Sequence, residues 1–140
     1  MYNKHQIMRE WVEQFLDNNY LYFESADALP GIRMIVPTYG DYITRKDILG
    51  YKDKSYTFVF IGYEQLDSGT SDVNITNMQI MDDFISWLEE QQEEQNFPDF
   101  GETCDEYEIE PLQNMSNLAS VTEDGLAKYM LGVKINYREV

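Results

Sequence analysis

Few side chains in this sequence are equipped for chemistry, and they lie far apart. The chain holds one histidine, His5, and one cysteine, Cys104. Nucleophilic catalysis needs a Ser or Cys beside a His or another tuned base. His5 sits among polar residues at the start of an amphipathic segment, so a solvated ring is expected there rather than a base. A single cysteine closes no internal disulfide and reads as a packing residue in a reducing compartment. Carboxylates are plentiful, and Asp99, Glu102, Asp105, Glu106, Glu108 and Glu110 crowd one segment. That segment lacks the Asp-x-Asp-x-Asp-Gly order and closing Glu of a calcium loop. A two-carboxylate hydrolase needs a pair flanking a pocket at a set separation, and the spacing singles out no pair. No Cys/His cluster has zinc spacing, and no glycine-rich loop introduces a phosphate-binding helix. The expectation is a protein that is not an enzyme, with no catalytic residue, metal or cofactor.

Charge offers more. Twenty-six acids oppose ten bases, for a formal net charge of −16. Such a field repels phosphate and an anionic bilayer surface, so neither nucleic acid nor membrane is expected as a partner. DNA mimicry is a minority reading, because acidic soluble proteins are common. Against this background, Arg45, Lys46, Lys52 and Lys54 fall within ten positions, with Ile48, Leu49 and Tyr51 between them. The plainer reading is a solvated hairpin; the sharper one is an interface hairpin that meets an acidic neighbour. The exposed carboxylates expected at Glu89, Glu90, Glu93 and Glu94 are the nearest candidates for that opposing surface. A contact of this kind is head-to-tail and closes into a ring when the rotation permits.

These residues must be positioned by a small number of elements. A chain of 140 residues favours one domain, here 1–140, able to bury roughly 70% of its unfolded surface. The hydrophobic fraction of 43% and aromatic fraction of 14% argue against disorder. No apolar run of signal-peptide length lies near the N-terminus, and none approaches the eighteen or so residues that span a bilayer.

Ile7, Met8, Trp11, Val12, Phe15 and Leu16 recur at helical spacing and predict a helix over about residues 3–17. Residues 20–23 read as a short strand, Pro30-Gly31 as a turn, and 32–36 as another short strand before Pro37. Residues 42–47 and 55–63 read as strands joined through Gly50-Tyr51-Lys52-Asp53. After a polar loop at 67–72, a second helix is expected from about Val73 to Gln95. Met78, Met81, Phe84, Ile85 and Leu88 share its apolar face, and Phe97-Pro98 stops it. Residues 104–115 read as a strand weakened by Pro111, and Asn114 to Gly125 as a turn-rich connection. The last strand is the clearest: Ala127, Tyr129, Leu131, Val133, Ile135 and Tyr137 alternate with mostly polar residues. The order implies an α+β domain, with a mainly antiparallel sheet of four or more strands and two helices on one face. The expected core is Trp11, Phe15, Phe58, Phe60, Phe84, Leu88, Leu131, Val133 and Ile135.

The second half resembles a known family. Phe84-Ile85-Ser86-Trp87-Leu88-Glu89-Glu90-Gln91 is similar to the F-x-x-W-L-E-E-Q helix of minor capsid proteins from Gram-positive phages and prophages. Asp72-Val73 and Asn77 resemble the start of that helix, and Pro98 its exit. Tyr56-Thr57-Phe58-Val59-Phe60 is similar to the aromatic strand before it. Ala127-Lys128-Tyr129 through Tyr137 resembles the closing A-K-Y strand. Residues 2–140 can be read in the same element order.

The resemblance implies a structural virion protein assembled in the bacterial cytoplasm. It would act in head–tail connection at the neck, similar to the tail terminators that form an oligomeric ring on the tail tube. Its implied partners are the tail tube protein and the neck or head-completion proteins. Other readings are another head–tail joining component, or an acidic adaptor or inhibitor of a basic host protein.

Overall fold

The computed structural model describes residues 3–16, 22–23, 33–46, 48–65, 71–112, 117–121 and 126–139. The first helix, α1, spans Lys4–Glu13. Asn3 caps it: the Oδ1 atom accepts the His5 and Gln6 backbone N–H groups at 3.1 and 3.2 Å. A turn carries the chain on to Leu16. Asp17-Asn18-Asn19, expected from its turn-forming residues to end the first helix, and the expected Pro30-Gly31 turn lie outside the described residues.

The strands are β1 (Tyr22–Phe23), β2 (Arg33–Lys46) and β3 (Lys52–Gln65), then β4 (Cys104–Pro111), β5 (Asn117–Val121) and β6 (Leu126–Glu139). The second helix, α2, spans Ser71–Glu94. The sheet order is β1-β2-β3-β6-β4, and β5 also pairs with β6. β1 runs parallel to β2, and the other pairings are antiparallel.

Four expectations are corrected. The two short strands at 32–36 and 42–47 form one long strand, β2. Pro37 does not break it, because a register shift between Pro37 and Gly40 absorbs the irregularity before pairing resumes at Gly40↔Thr57. The hairpin turns earlier than expected: Lys52 and Asp53 already belong to β3, and the tip lies at Ile48, Leu49 and Gly50. Gly50, at φ +96, takes a backbone conformation that a side chain would strain.

The third correction is the end of α2. Gln95 adopts a left-handed φ of 56, and the Asn96 N–H closes on the Gln91 carbonyl at 2.9 Å. This is a left-handed cap, and it ends the helix before Pro98 is reached. The fourth is β5, where a turn-rich connection is expected. β4 pairs with the 133–139 half of β6, and β5 pairs with the 127–130 half. Pairing to an edge that β4 leaves open thus outweighs the Asn- and Ser-rich composition of this segment.

Alternation on the strands sorts the side chains. Tyr56, Phe58 and Phe60 of β3 and all six apolar positions of β6 from Ala127 to Tyr137 enter one buried cluster with residues of both helices. Both helices therefore cover the same sheet face, and the fold is α+β. Phe84 stacks on Phe60 with ring centroids 4.2 Å apart, Phe15 meets Phe84 at 5.1 Å, and Trp11 meets Trp87 at 4.9 Å. The expected core residues are buried, except that Phe15 is half-buried against the cluster. Strand residues of opposite parity, Met34, Ile61 and Tyr63, form a second small cluster on the other face.

The helix ends are tied to each other. The Trp11 indole donates to the Asn96 carbonyl at 3.0 Å, and the Asn96 amide donates to Gln14 at 3.0 Å and to the buried Gln91. Asn96 thus satisfies polar atoms of α1 and α2 where the two helices meet.

Candidate functional site

The basic hairpin and the acidic end of α2 are the two surfaces the sequence singles out. The hairpin arises because β2 and β3 are long, aligned strands whose turn carries Gly50. Its bases do not all face solvent. Lys54 Nζ lies 2.8 Å from Glu139 Oε1, and its side chain is only 12% exposed. Arg45 pairs with Asp53 at 3.6 Å while keeping 67% of its side chain exposed. Lys52 is half-buried, and the Lys46 side chain lies outside the described residues.

Asp53 is the hub on the far face of the sheet. Its cross-strand neighbours are Arg45 on β2 and Arg138 on β6. The Arg138 guanidinium donates to Asp53 at 3.0 Å, approaches Glu106 at 3.5 Å and lies over the Tyr51 ring at 5.6 Å. On the helix face, Lys4 approaches Glu139 at 4.0 Å and sits over the Tyr137 ring at 5.6 Å. Composition alone does not single out Asp53, Arg138 or Glu139. The register signal was present: the alternation of β6 places Arg138 on the face opposite Tyr137, beside any aspartate on the neighbouring strand.

These contacts make the hairpin base sensitive to acid. The ammonium of Lys54, hydrogen-bonded to Glu139, holds the Glu139 carboxyl below the usual carboxylate range, against the opposing effect of burial. The folded chain therefore binds fewer protons at this group than the unfolded chain. The resulting stability is present at neutral pH and is lost as pH falls through the folded pKa. Glu139→Gln is expected to lower stability at neutral pH by roughly 0.5–1 kcal/mol, because solvent screens this partly exposed pair, and to flatten the decline of stability with falling pH. Urea unfolding at several pH values checks this, and parallel curves for the two proteins would contradict it.

Glu89, Glu90, Glu93 and Glu94 are all exposed on α2. They do not merely coat a helix. Glu89 and Glu93 border an open groove of about 260 Å³ between α2 and β4, lined also by Leu88, Gln92, Ile109 and Pro111. Gln92 Oε1 accepts the Ile109 backbone N–H at 2.7 Å, pinning the helix to the strand along the groove. Leu88 is fully buried and Ile109 is 7% exposed, so they back the groove, and its open apolar surface lies mainly at half-buried Pro111, with the acids at the rim.

The two reactive-type side chains have structural partners. His5 Nδ1 lies 2.6 Å from the hydroxyl of fully buried Tyr56, so the ring is not simply solvated. Cys104 is buried, with Sγ 3.5 Å from Glu139 Oε2. Burial, together with the Glu139 carboxylate, pushes the Cys104 thiol up, opposite to the shift an activated thiolate needs. Among the described residues, no group of three or more His, Cys, Asp or Glu is placed to hold a metal ion. Nor is any helix there long and apolar enough to cross a membrane.

No protein-family model matches this chain, and no curated protein matches it significantly. The aromatic strand β3, the helix α2 and the last strand β6 meet in space. Phe60 of the aromatic strand stacks on Phe84 of the helix motif, and the Phe84 and Trp87 rings lie 5.8 Å apart. The aromatic strand pairs with the closing strand along its length, from Tyr56↔Ile135 to Phe60↔Leu131.

Proposed function

We propose that this chain is a structural protein of phage assembly, acting at the head–tail neck as a tail-completion subunit that joins copies of itself in a ring. It acts by contact and not by catalysis. The observation that carries this reading is the packing of its three resemblance-bearing segments as one unit. Within that unit, Phe84, Leu88 and Gln91 of the helix motif are buried, while Glu89 and Glu90 remain exposed. The motif therefore serves two purposes at once: it builds the core and displays carboxylates to a partner.

Electron microscopy of particles made without the protein tests the proposal. Overlong tails are the expected result. Normal tails beside unattached heads would assign the chain to another head–tail joining step. Intact virions would overturn both, and would favour an acidic adaptor for a basic host protein.

The hairpin's part in assembly needs a narrower test. Reversing all of Arg45, Lys46, Lys52 and Lys54 would also set a carboxylate against Glu139 in place of its nearest cation, Lys54, leaving the more distant Lys4 at 4.0 Å to oppose it. Arg45→Gln with Lys52→Gln removes two charges, keeps the Lys54–Glu139 pair and sets no new carboxylate opposite Asp53 or Glu139. The double variant is expected to fold and to reduce the yield of normal particles. Normal tail length and yield would leave the hairpin as ordinary solvated surface.

A further inference from the structure

We propose that the hairpin tip Ile48-Leu49 is an apolar knob that seats in the α2–β4 groove of a second copy of this chain. Ile48 is fully exposed and Leu49 is 77% exposed, at adjacent positions of a turn. Single exposed apolar residues need no explanation, but two together on a projecting tip make a compact apolar surface. Arg45 and Lys52 flank that tip. The groove is its complement in both respects, with half-buried Pro111 and the edge of Ile109 offering apolar surface and Glu89 and Glu93 at the rim. Knob and groove thus match in polarity at the centre and in charge at the edge.

The tip cannot fill its own groove. β6 lies between β3 and β4 in the sheet. The groove's Ile109 and Pro111 pair with Ile135 and Val133, whereas the hairpin end of β3 pairs with Glu139. Four to six residues of strand separate these levels, roughly 14–20 Å at about 3.4 Å per residue. A tip of this kind reaches the groove only from another molecule, and a second copy supplies the matching basic, apolar tip. The contact is head-to-tail, so copies propagate in one sense and close into a ring if the rotation permits.

A single knob buries far less than the roughly 1,000 Å² of a stable interface, and chains of net charge −16 repel one another. In solution the contact is weak; on a template it sets the register between neighbours. This inference deepens the proposed assembly role and rests on it for its biological setting.

Cross-linking tests the contact with the whole chain. In a Cys104→Ser background, one preparation carries Ile48→Cys and a second, differently tagged, carries Glu93→Cys. The two are mixed at the highest soluble concentration and treated with a short bis-maleimide. The 48–93 product is expected to exceed the 48–48 and 93–93 products. Adding Leu49→Asp to the first chain is expected to lower its yield about tenfold, while circular dichroism stays unchanged because the side chain lies on the surface. A 48–93 product no more abundant than the like pairs, or one indifferent to Leu49→Asp, would overturn the contact. Particles made without the protein give an independent answer: intact virions sink the neck role whatever cross-links form. A missing 48–93 product sinks the knob and leaves the neck role standing.

Discussion

Phe84→Ala is expected to lower the unfolding free energy by about 3–5 kcal/mol. Phe84 is fully buried at the point where both helices meet the sheet. Its ring stacks on Phe60 of β3 at 4.2 Å, lies 5.1 Å from Phe15 just past α1, and lies 5.8 Å from Trp87 on its own helix. Truncation removes the apolar area and leaves a cavity walled by rigid rings and by strands held in register on both sides, so collapse recovers little. Against a typical total of about 5–15 kcal/mol, the loss leaves a marginal fold. Trp87 stands beside the cavity, so its fluorescence in urea reports the shift directly. Ser86→Ala, on the exposed side of the same turn, is the control and is expected to change stability by less than about 0.5 kcal/mol. An unchanged midpoint for Phe84→Ala would contradict the placement of this ring at the centre of the core.

Much of this core was legible because periodicity is local. Phe84, Ile85 and Leu88 repeat at helical spacing, and Leu131, Val133 and Ile135 alternate, so each element names its own buried face before any partner is known. Both features survive in the structure. What was not legible depends on partners distant in sequence. β5 has weak strand composition and is a strand because β6 offers it an unfilled edge at Leu118↔Tyr129. β2 runs through Pro37 because β3 holds both halves in register around a bulge. The left-handed cap at Gln95 carries no glycine to announce it, and its neighbour Asn96 is held by Gln14 and Trp11 of the other helix region.

The same division applies to the candidate site. The clustering of Arg45, Lys46, Lys52 and Lys54 was visible, but composition cannot tell a displayed cation from one engaged within the fold. Register decides that. Strand pairing brings Glu139 to Lys54, and it sets Asp53 between Arg45 and Arg138. The groove beside Glu89 and Glu93 was equally hidden, because its floor combines Leu88 of α2 with Ile109 and Pro111 of β4. Exposed acids on a helix were expected; the apolar surface between them exists only once β4 is laid against α2.

Ile135→Pro is expected to abolish cooperative folding, because β6 is the strand on which the sheet is assembled. β6 pairs with β3 along one edge and with β4 and β5 along the other. At Ile135 both sides are occupied, by Tyr56 of β3 and by Ile109 of β4. Whichever side its N–H faces, a neighbouring strand is there to receive it. Proline removes that donor and fixes φ near −65°, away from the extended values of an antiparallel strand. At an edge the chain can turn a missing donor outward, as proline positions such as Pro37 and Pro111 allow on strands with one open side. Ile135 has no open side, and its side chain is fully buried in the main cluster. The loss combines a broken ladder of about 3 kcal/mol or more, an acceptor left without a partner at about 1–3 kcal/mol and disturbed core packing at about 2–5 kcal/mol, a sum comparable with the whole stability of a typical domain. Ile135→Val keeps the strand and removes one methylene, so it should cost only about 0.5–1.5 kcal/mol. Thermal unfolding followed by circular dichroism separates the cases: the valine variant melts in one transition at a slightly lower temperature, and the proline variant shows none. A proline variant with a sharp transition near that of the original would mean that the sheet can form without β6 at its centre, and the topology described above would be wrong.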